Sequence, residues 1–140
     1  MRWAARVAQF WMLARSMAHA LAIVVGDDWE ALMQPHCIHK KDGTEGDGQF
    51  DWCERGGRFG KPLKFRVPQS RGGLLRFLGA TTHTAQGRRS QIDVDSLRER
   101  FAFAVVSDEQ WHDPESFEEA RKLIETAPGD PAITAVDYHL

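Results

Sequence analysis

Apolar residues recur at two spacings along this chain, and the changes between them divide it into elements. At residues 3–15, Trp3, Val7, Phe10, Trp11 and Ala14 fall at helical spacing, with Arg2, Arg6 and Arg15 elsewhere, which predicts an amphipathic helix. Residues 21–25 are a short apolar run that reads as a strand ended by Gly26-Asp27-Asp28. Asp28 can cap a short helix through Met33, and Pro35 stops it. Residues 35–50 are loop-like, and residues 49–53 suggest a short strand with Phe50 and Trp52 on one face. Residues 63–67 alternate apolar and basic side chains as a half-buried strand does, and Pro68 closes them. Residues 74–78 fit a strand or a short helix, and residues 80–89 a polar loop holding His83. Asp93 or Asp95 then caps a short helix ending near Arg100.

The second half is clearer. Residues 101–106 form a continuous apolar run of strand type, and Ser107-Asp108-Glu109-Gln110 turns it into a brief return strand at Trp111 and His112. Asp113-Pro114 opens a helix whose apolar face is Phe117, Ala120, Leu123, Ile124 and Ala127, and Pro128-Gly129-Asp130-Pro131 ends it. A last strand over 132–139 puts Ile133, Ala135, Asp137 and His139 on one face. The expected fold is a single-domain α+β sandwich over 17–140, a mixed β-sheet with helices on one face, preceded by the N-terminal amphipathic helix over 1–16.

With 140 residues, 42% hydrophobic and 27% charged, the chain can bury one core and has no disordered composition. Its net charge of −2 conceals a segregation. From Arg55 to Gln91 there is no acid, while Arg55, Arg58, Lys61, Lys64, Arg66, Arg71, Arg76, Arg88 and Arg89 supply nine positive charges. Two cysteines, Cys37 and Cys53, are too few for a disulfide framework and suit a reduced cytoplasm. No apolar run has the length of a membrane span.

The N-terminus has several readings. Its basic start, apolar residues and Ala18-His19-Ala20 outline a signal peptide, but Gln9 and Arg15 interrupt the apolar stretch. A membrane-surface helix and a helix docked on the core are the alternatives. Met17 also opens a natural beginning that runs straight into the first strand, as if residues 1–16 were an upstream extension.

Two clusters carry candidate chemistry. His36, Cys37, His39 and Cys53 include metal-ligating types, but their spacing matches no standard finger, and a polar loop with a buried cysteine explains them as well. Asp51, Trp52, Arg55, Gly56, Gly57 and Arg58 place two arginines around a Gly-Gly turn. Such a turn can aim backbone N–H groups at an anion, with the guanidiniums clamping a phosphate or carboxylate. Alternatively it is a hairpin turn whose arginines pair with Asp51 and Glu54. Lys61, Lys64 and Arg66 extend the basic surface, and Phe59, Phe65 and Phe77 are interleaved as stacking candidates.

Three signatures in order carry a resemblance: Asp51-Trp52-x-x-x-Gly56-Gly57-Arg58-Phe59, then Phe103-Ala104-Val105-Val106 with Trp111-His112, then Val136-Asp137-Tyr138-His139-Leu140. Together with Ile92-Asp93-Val94-Asp95 they resemble small accessory proteins of tailed bacteriophages. Those proteins carry an Asp-Trp-Tyr-x-x-Gly-Gly-Arg-Trp motif and an Asp-Ile-Asp-Trp element, and finish on Asp-Cys-His. The likeness runs from about residue 17 to 140. Cys53, Phe59 and Tyr138 depart from it, standing where the family has tyrosine, tryptophan and cysteine. The resemblance implies a phage or prophage gene acting in the host cytoplasm, often by binding host machinery such as a defence system. It implies no reaction and no cofactor.

Two functions follow. One is a non-enzymatic binding protein whose basic surface, residues 55–89, recognises a host protein, nucleic acid or nucleotide. The other is a small hydrolase or nuclease using Asp137 and His139, with His112 or Asp51 nearby. A structural virion component is also compatible with the chain.

Residues 1–16 are expected to be dispensable for folding. A chain beginning at Met17 should melt as cooperatively as the full chain. Loss of that transition would make Trp3, Phe10 and Trp11 core residues.

Overall fold

In the computed structural model, residues 19–66 and 83–139 are described. The predicted helix at 3–15, the Met17 start, the 74–78 element, Arg71, Arg76 and Phe77 lie outside them. Strand β1 is His19–Val25, and it leads through Gly26 and Asp27 into helix α1, Trp29–Met33. Asp28 caps α1 by accepting from the Ala31 amide at 3.1 Å, and a 3-10 turn at Gln34–His36 follows, with Pro35 inside it. Next come β2 (Trp52–Arg55), a 3-10 turn (Gly57–Phe59), β3 (Leu63–Lys64), β4 (His83–Thr84) and β5 (Gln86–Arg88). After two further 3-10 segments, Arg89–Gln91 and Val94–Arg100, come β6 (Ala104–Ser107), β7 (Gln110–His112), α2 (Phe117–Glu125) and β8 (Ala132–His139).

The fold is α+β with a mixed sheet, as expected. Its order is β2-β8-β1-β6-β7. β1 runs parallel to β6 and antiparallel to β8, and β5 pairs with the first part of the same β8 edge that β2 occupies further along. β3 and β4 form a separate two-stranded ribbon. The 107–110 turn has Asp108 and Glu109 at φ 54 and 60, the paired left-handed conformation of a tight hairpin.

The sheet alternates cleanly. Leu21, Ile23, Val25, Val105, Ile133 and Ala135 face a cluster closed by Phe117, Ala120 and Ile124 of α2 and by Val94 and Leu97. Each fully buried Val, Leu or Ile contributes about 1.5–3 kcal/mol relative to exposure. Ala22, Val24, Ala104, Val106, Val136 and Tyr138 face the other way, against Met33, Cys37 and Phe50, with Trp29 and Leu32 of α1 packed on that cluster. The sheet is therefore covered on both sides, α2 on one face and α1 with the 35–50 loop on the other.

Several local expectations differ from the structure. Ser116, and not Asp113, caps α2, accepting from the Glu119 amide at 3.2 Å, while Asp113 accepts from the Trp111 indole N–H. Phe50 and Trp52 lie on opposite faces: Phe50 packs beside Tyr138, and Trp52 stacks on His139. Residues 83–88 supply β4 and β5 where a loop was expected. Gly87 permits this, since a Cβ there would come within 2.9 Å of the Ile92 side chain.

Asp27 fastens one end of the sheet. Its Oδ1 accepts from the Ala132 amide at 3.0 Å and from Arg88 Nη1 at 2.7 Å, joining the exit of β1 to β8 and β5. The Ala132 amide, then the Arg88 guanidinium, hold its carboxyl below the usual 3.8. A carboxyl depressed by folding stabilises above its unfolded value and loses that contribution as pH falls through the folded one. Asp27→Asn should therefore lower Tm at neutral pH, and the gap from wild type should close below about pH 3.8. Parallel melting curves across that range would show that Asp27 contributes nothing.

Candidate functional site

The period-2 alternation that buries apolar residues along β1 and β8 changes character at one end of both strands. The facing rows run Val25, Ile23, Leu21, His19 and Ile133, Ala135, Asp137, His139, paired in that order. Antiparallel register thus brings both polar ends together. β2 extends the outermost row, since Trp52 pairs with His139 and His139 with His19. Three rings lie side by side: Trp52 stacks on His139 at 4.9 Å between centroids, and His139 meets His19 edge-on at 5.2 Å.

One row inward lies Asp137, fully buried. His19 Nδ1 is 2.7 and 2.9 Å from its two oxygens, and the Arg58 amide donates to Oδ2 at 2.8 Å. A buried carboxylate is costly without donors, and these two come from distant parts of the chain. The Gly56-Gly57 turn closes over it. Gly57 has φ +50, and a Cβ there would sit 2.5 Å from the Asp137 Cβ. Gly56 has φ +71 and donates its amide to Ala135 O at 2.8 Å. The amide that follows the two glycines, that of Arg58, is thus turned onto a side chain of the same chain, Asp137.

The structure also gives the intrachain partners of the two arginines. Neither pairs with Asp51 or Glu54. Arg55 donates to Gln86 Oε1 at 3.0 Å, and the exposed Arg58 guanidinium has no partner among the described residues. Lys61, Lys64 and Arg66 are likewise exposed and without an ion-pair partner among them. Elsewhere cations meet carboxylates, Arg98 with Glu118 and Arg121 with Asp95 and Glu118. Phe59 and Phe65 are partly buried and pack against the core cluster. Trp52, 38% exposed, is the exposed large apolar side chain of the described residues.

The expected Asp137/His139 pair shares a face, but each member takes another partner. His19 holds Asp137, and His139 Nδ1 lies 2.9 Å from Asp51 Oδ1. His112 sits on β7, with β1 and β6 between it and β8, and does not join them. His19 escaped the sequence reading. Its signal was the phase of Leu21, Ile23 and Val25 carried back two residues.

The four metal-ligating candidates are scattered. His36 is buried with Nδ1 2.7 Å from Asp47 Oδ2, Cys37 Sγ donates to Gln34 O, and His39 is exposed. Cys53 shares a cluster with Cys37, and burial, then Cys37, push its thiol up to about 11. Among the described residues no three His, Cys, Asp or Glu side chains gather as a metal-ligand set. No helix among them is long and apolar enough to cross a membrane. No family model matches the chain, and neither a curated protein nor a solved structure matches it.

The close approach at Gly57 gives a direct test. Gly57→Ala should cost about 1–3 kcal/mol for its left-handed backbone, plus displacement of Asp137. Gly60→Ala is the control, with φ +67 but nothing within 4 Å of the added Cβ. Gly57→Ala should melt well below Gly60→Ala. Equal melting temperatures would show that the turn yields without disturbing Asp137.

Proposed function

We propose that this protein acts by binding an anionic partner, and that Arg58, Lys61, Lys64 and Arg66 are its main contacts. The observation that supports this reading is four exposed cations within nine residues, none with an ion-pair partner among the described residues. Such charges retain their full attraction for a phosphate or carboxylate, and an arginine adds bidentate geometry. Trp52 adds an exposed aromatic surface. The Gly56 and Arg58 amides are not part of this surface, because they serve Ala135 and Asp137. The phage resemblance extends the reading to an accessory protein that occupies a host component in the host cytoplasm, as an inhibitor of a defence system would.

Fluorescence anisotropy with labelled single-stranded DNA and labelled polyglutamate, across a salt series, tests the binding. Affinity for at least one polyanion should fall with salt. For DNA, each of Arg58→Ala and Lys61→Ala should flatten the log–log salt slope by about 0.7 per lost phosphate contact. Absence of salt-dependent binding to both probes, or slopes unchanged in both variants, would refute the proposal.

A further inference from the structure

The polar end of the sheet holds two imidazoles that anion binding does not use. His19 and His139 sit directly opposite each other on β1 and β8, with ring centroids 5.2 Å apart. Each has its Nδ1 against a different carboxylate, Asp137 at 2.7 Å and Asp51 at 2.9 Å. At His19 the contact is a hydrogen bond, and a carboxylate bonded at Nδ1 fixes the tautomer and leaves Nε2 to exchange protons. Both rings are partly exposed, with side-chain accessibilities of 21% and 31%. Neither Nε2 is among the buried polar atoms of the described residues that lack a partner. Two imidazoles side by side are equipped to accept one proton and deliver another in the same reaction.

We infer that His19 and His139 are a catalytic acid–base pair that cleaves RNA by internal transesterification. Among the described residues, the side chains paired with or stacked against the two rings are Asp51, Asp137 and Trp52, none of which is a hydroxyl, thiol or amine. The substrate therefore brings the nucleophile, and a ribose 2′-hydroxyl beside the phosphodiester is the group that does so. One imidazole accepts the 2′-hydroxyl proton as O2′ bonds to phosphorus. The P–O5′ bond breaks, and the other imidazole, as imidazolium, protonates the departing O5′. The products are a 2′,3′-cyclic phosphate and a 5′-hydroxyl, with no other reactant consumed. The exposed Arg58 follows Gly57, which touches Asp137, and its cation suits the phosphoryl oxygens. Trp52, stacked on His139, offers a base an aromatic edge. Asp137 and Asp51 are positioning residues.

The test uses the full chain and a pool of single-stranded RNA of random sequence. A matched DNA pool is the control for binding without cleavage. RNA should be cut to 2′,3′-cyclic phosphate ends and DNA left intact. His19→Asn, whose amide can keep the Nδ1-side bond to Asp137, and His139→Asn should each slow cleavage by about a hundredfold or more. A substrate with sulfur at the bridging 5′ position, whose thiolate leaves without a proton, should rescue one of the two variants and not the other. No cleavage anywhere in the RNA pool, equal cleavage of DNA, full activity in either asparagine variant, or rescue of neither would overturn the inference. DNA binding that persists without RNA cleavage would overturn it while leaving the anion-binding reading intact.

Discussion

A single buried carboxylate ties this domain together at one end. Asp137 lies on the last strand, on the face where its neighbours Ile133 and Ala135 are core, so strand alternation carries it out of water. Removing its donors would leave a buried charge at a cost of several kcal/mol. Its hydrogen bonds therefore constrain three separate pieces of chain. β1 must present His19 at its first position, the turn after β2 must deliver the Arg58 amide, and residue 57 must lack a Cβ. The His19–Asp137 contact spans 118 residues and the Arg58–Asp137 contact 79. The register of β8 against both of its neighbours near this end is thus fixed by one side chain as well as by the apolar rows.

This arrangement also explains why two sequence signatures, an Asp-Trp with a Gly-Gly-Arg turn near residue 55 and an Asp-x-His at the end, occur in one chain. They are halves of one structure. Asp51 reaches His139, Trp52 stacks on it, and the Gly-Gly turn covers Asp137. Residue types that look like ligand contacts in isolation are largely each other's partners. What remains for an outside molecule is the exposed part of the cluster: the two partly exposed imidazoles, the exposed part of Trp52 and the cations after Gly57.

Most of the sheet was legible because burial imposes period two. Residues 21–25, 101–106 and 132–139 carry that pattern or a solid apolar run, and all three mark central strands, although the middle one is shifted to Ala104–Ser107. α2 was equally plain from its apolar stripe. β4 and β5 were not, because two or three polar residues form strands only when an existing edge is offered, here by β3 and β8. The site was half legible. The glycines announced a tight turn, but sequence spacing cannot say that the amide after it meets a carboxylate 79 residues away in the same chain. His19 was hidden beside an apolar run, where its phase with Leu21 was the available clue.

The two faces of the sheet divide their roles through what ends each row. On the α1 face the rows finish in aromatics. Tyr138 meets Trp111 edge-on at 5.1 Å and Phe50 at 6.3 Å, and Trp111 lies 6.2 Å from Phe50. Those rings close the cluster with their own bulk, and the buried His36 lies 5.7 Å from Trp111. On the α2 face the same strands finish in Asp137, His139 and His19, which no apolar cap can cover without stranding their hydrogen-bonding groups. The sheet thus ends in aromatic rings on one face and in polar side chains at that end of the other. The Gly-Gly turn brings Arg58 to that same place because it must reach Asp137. The constraint that buries the carboxylate thus also fixes the backbone of Arg58, an exposed residue, against Asp137.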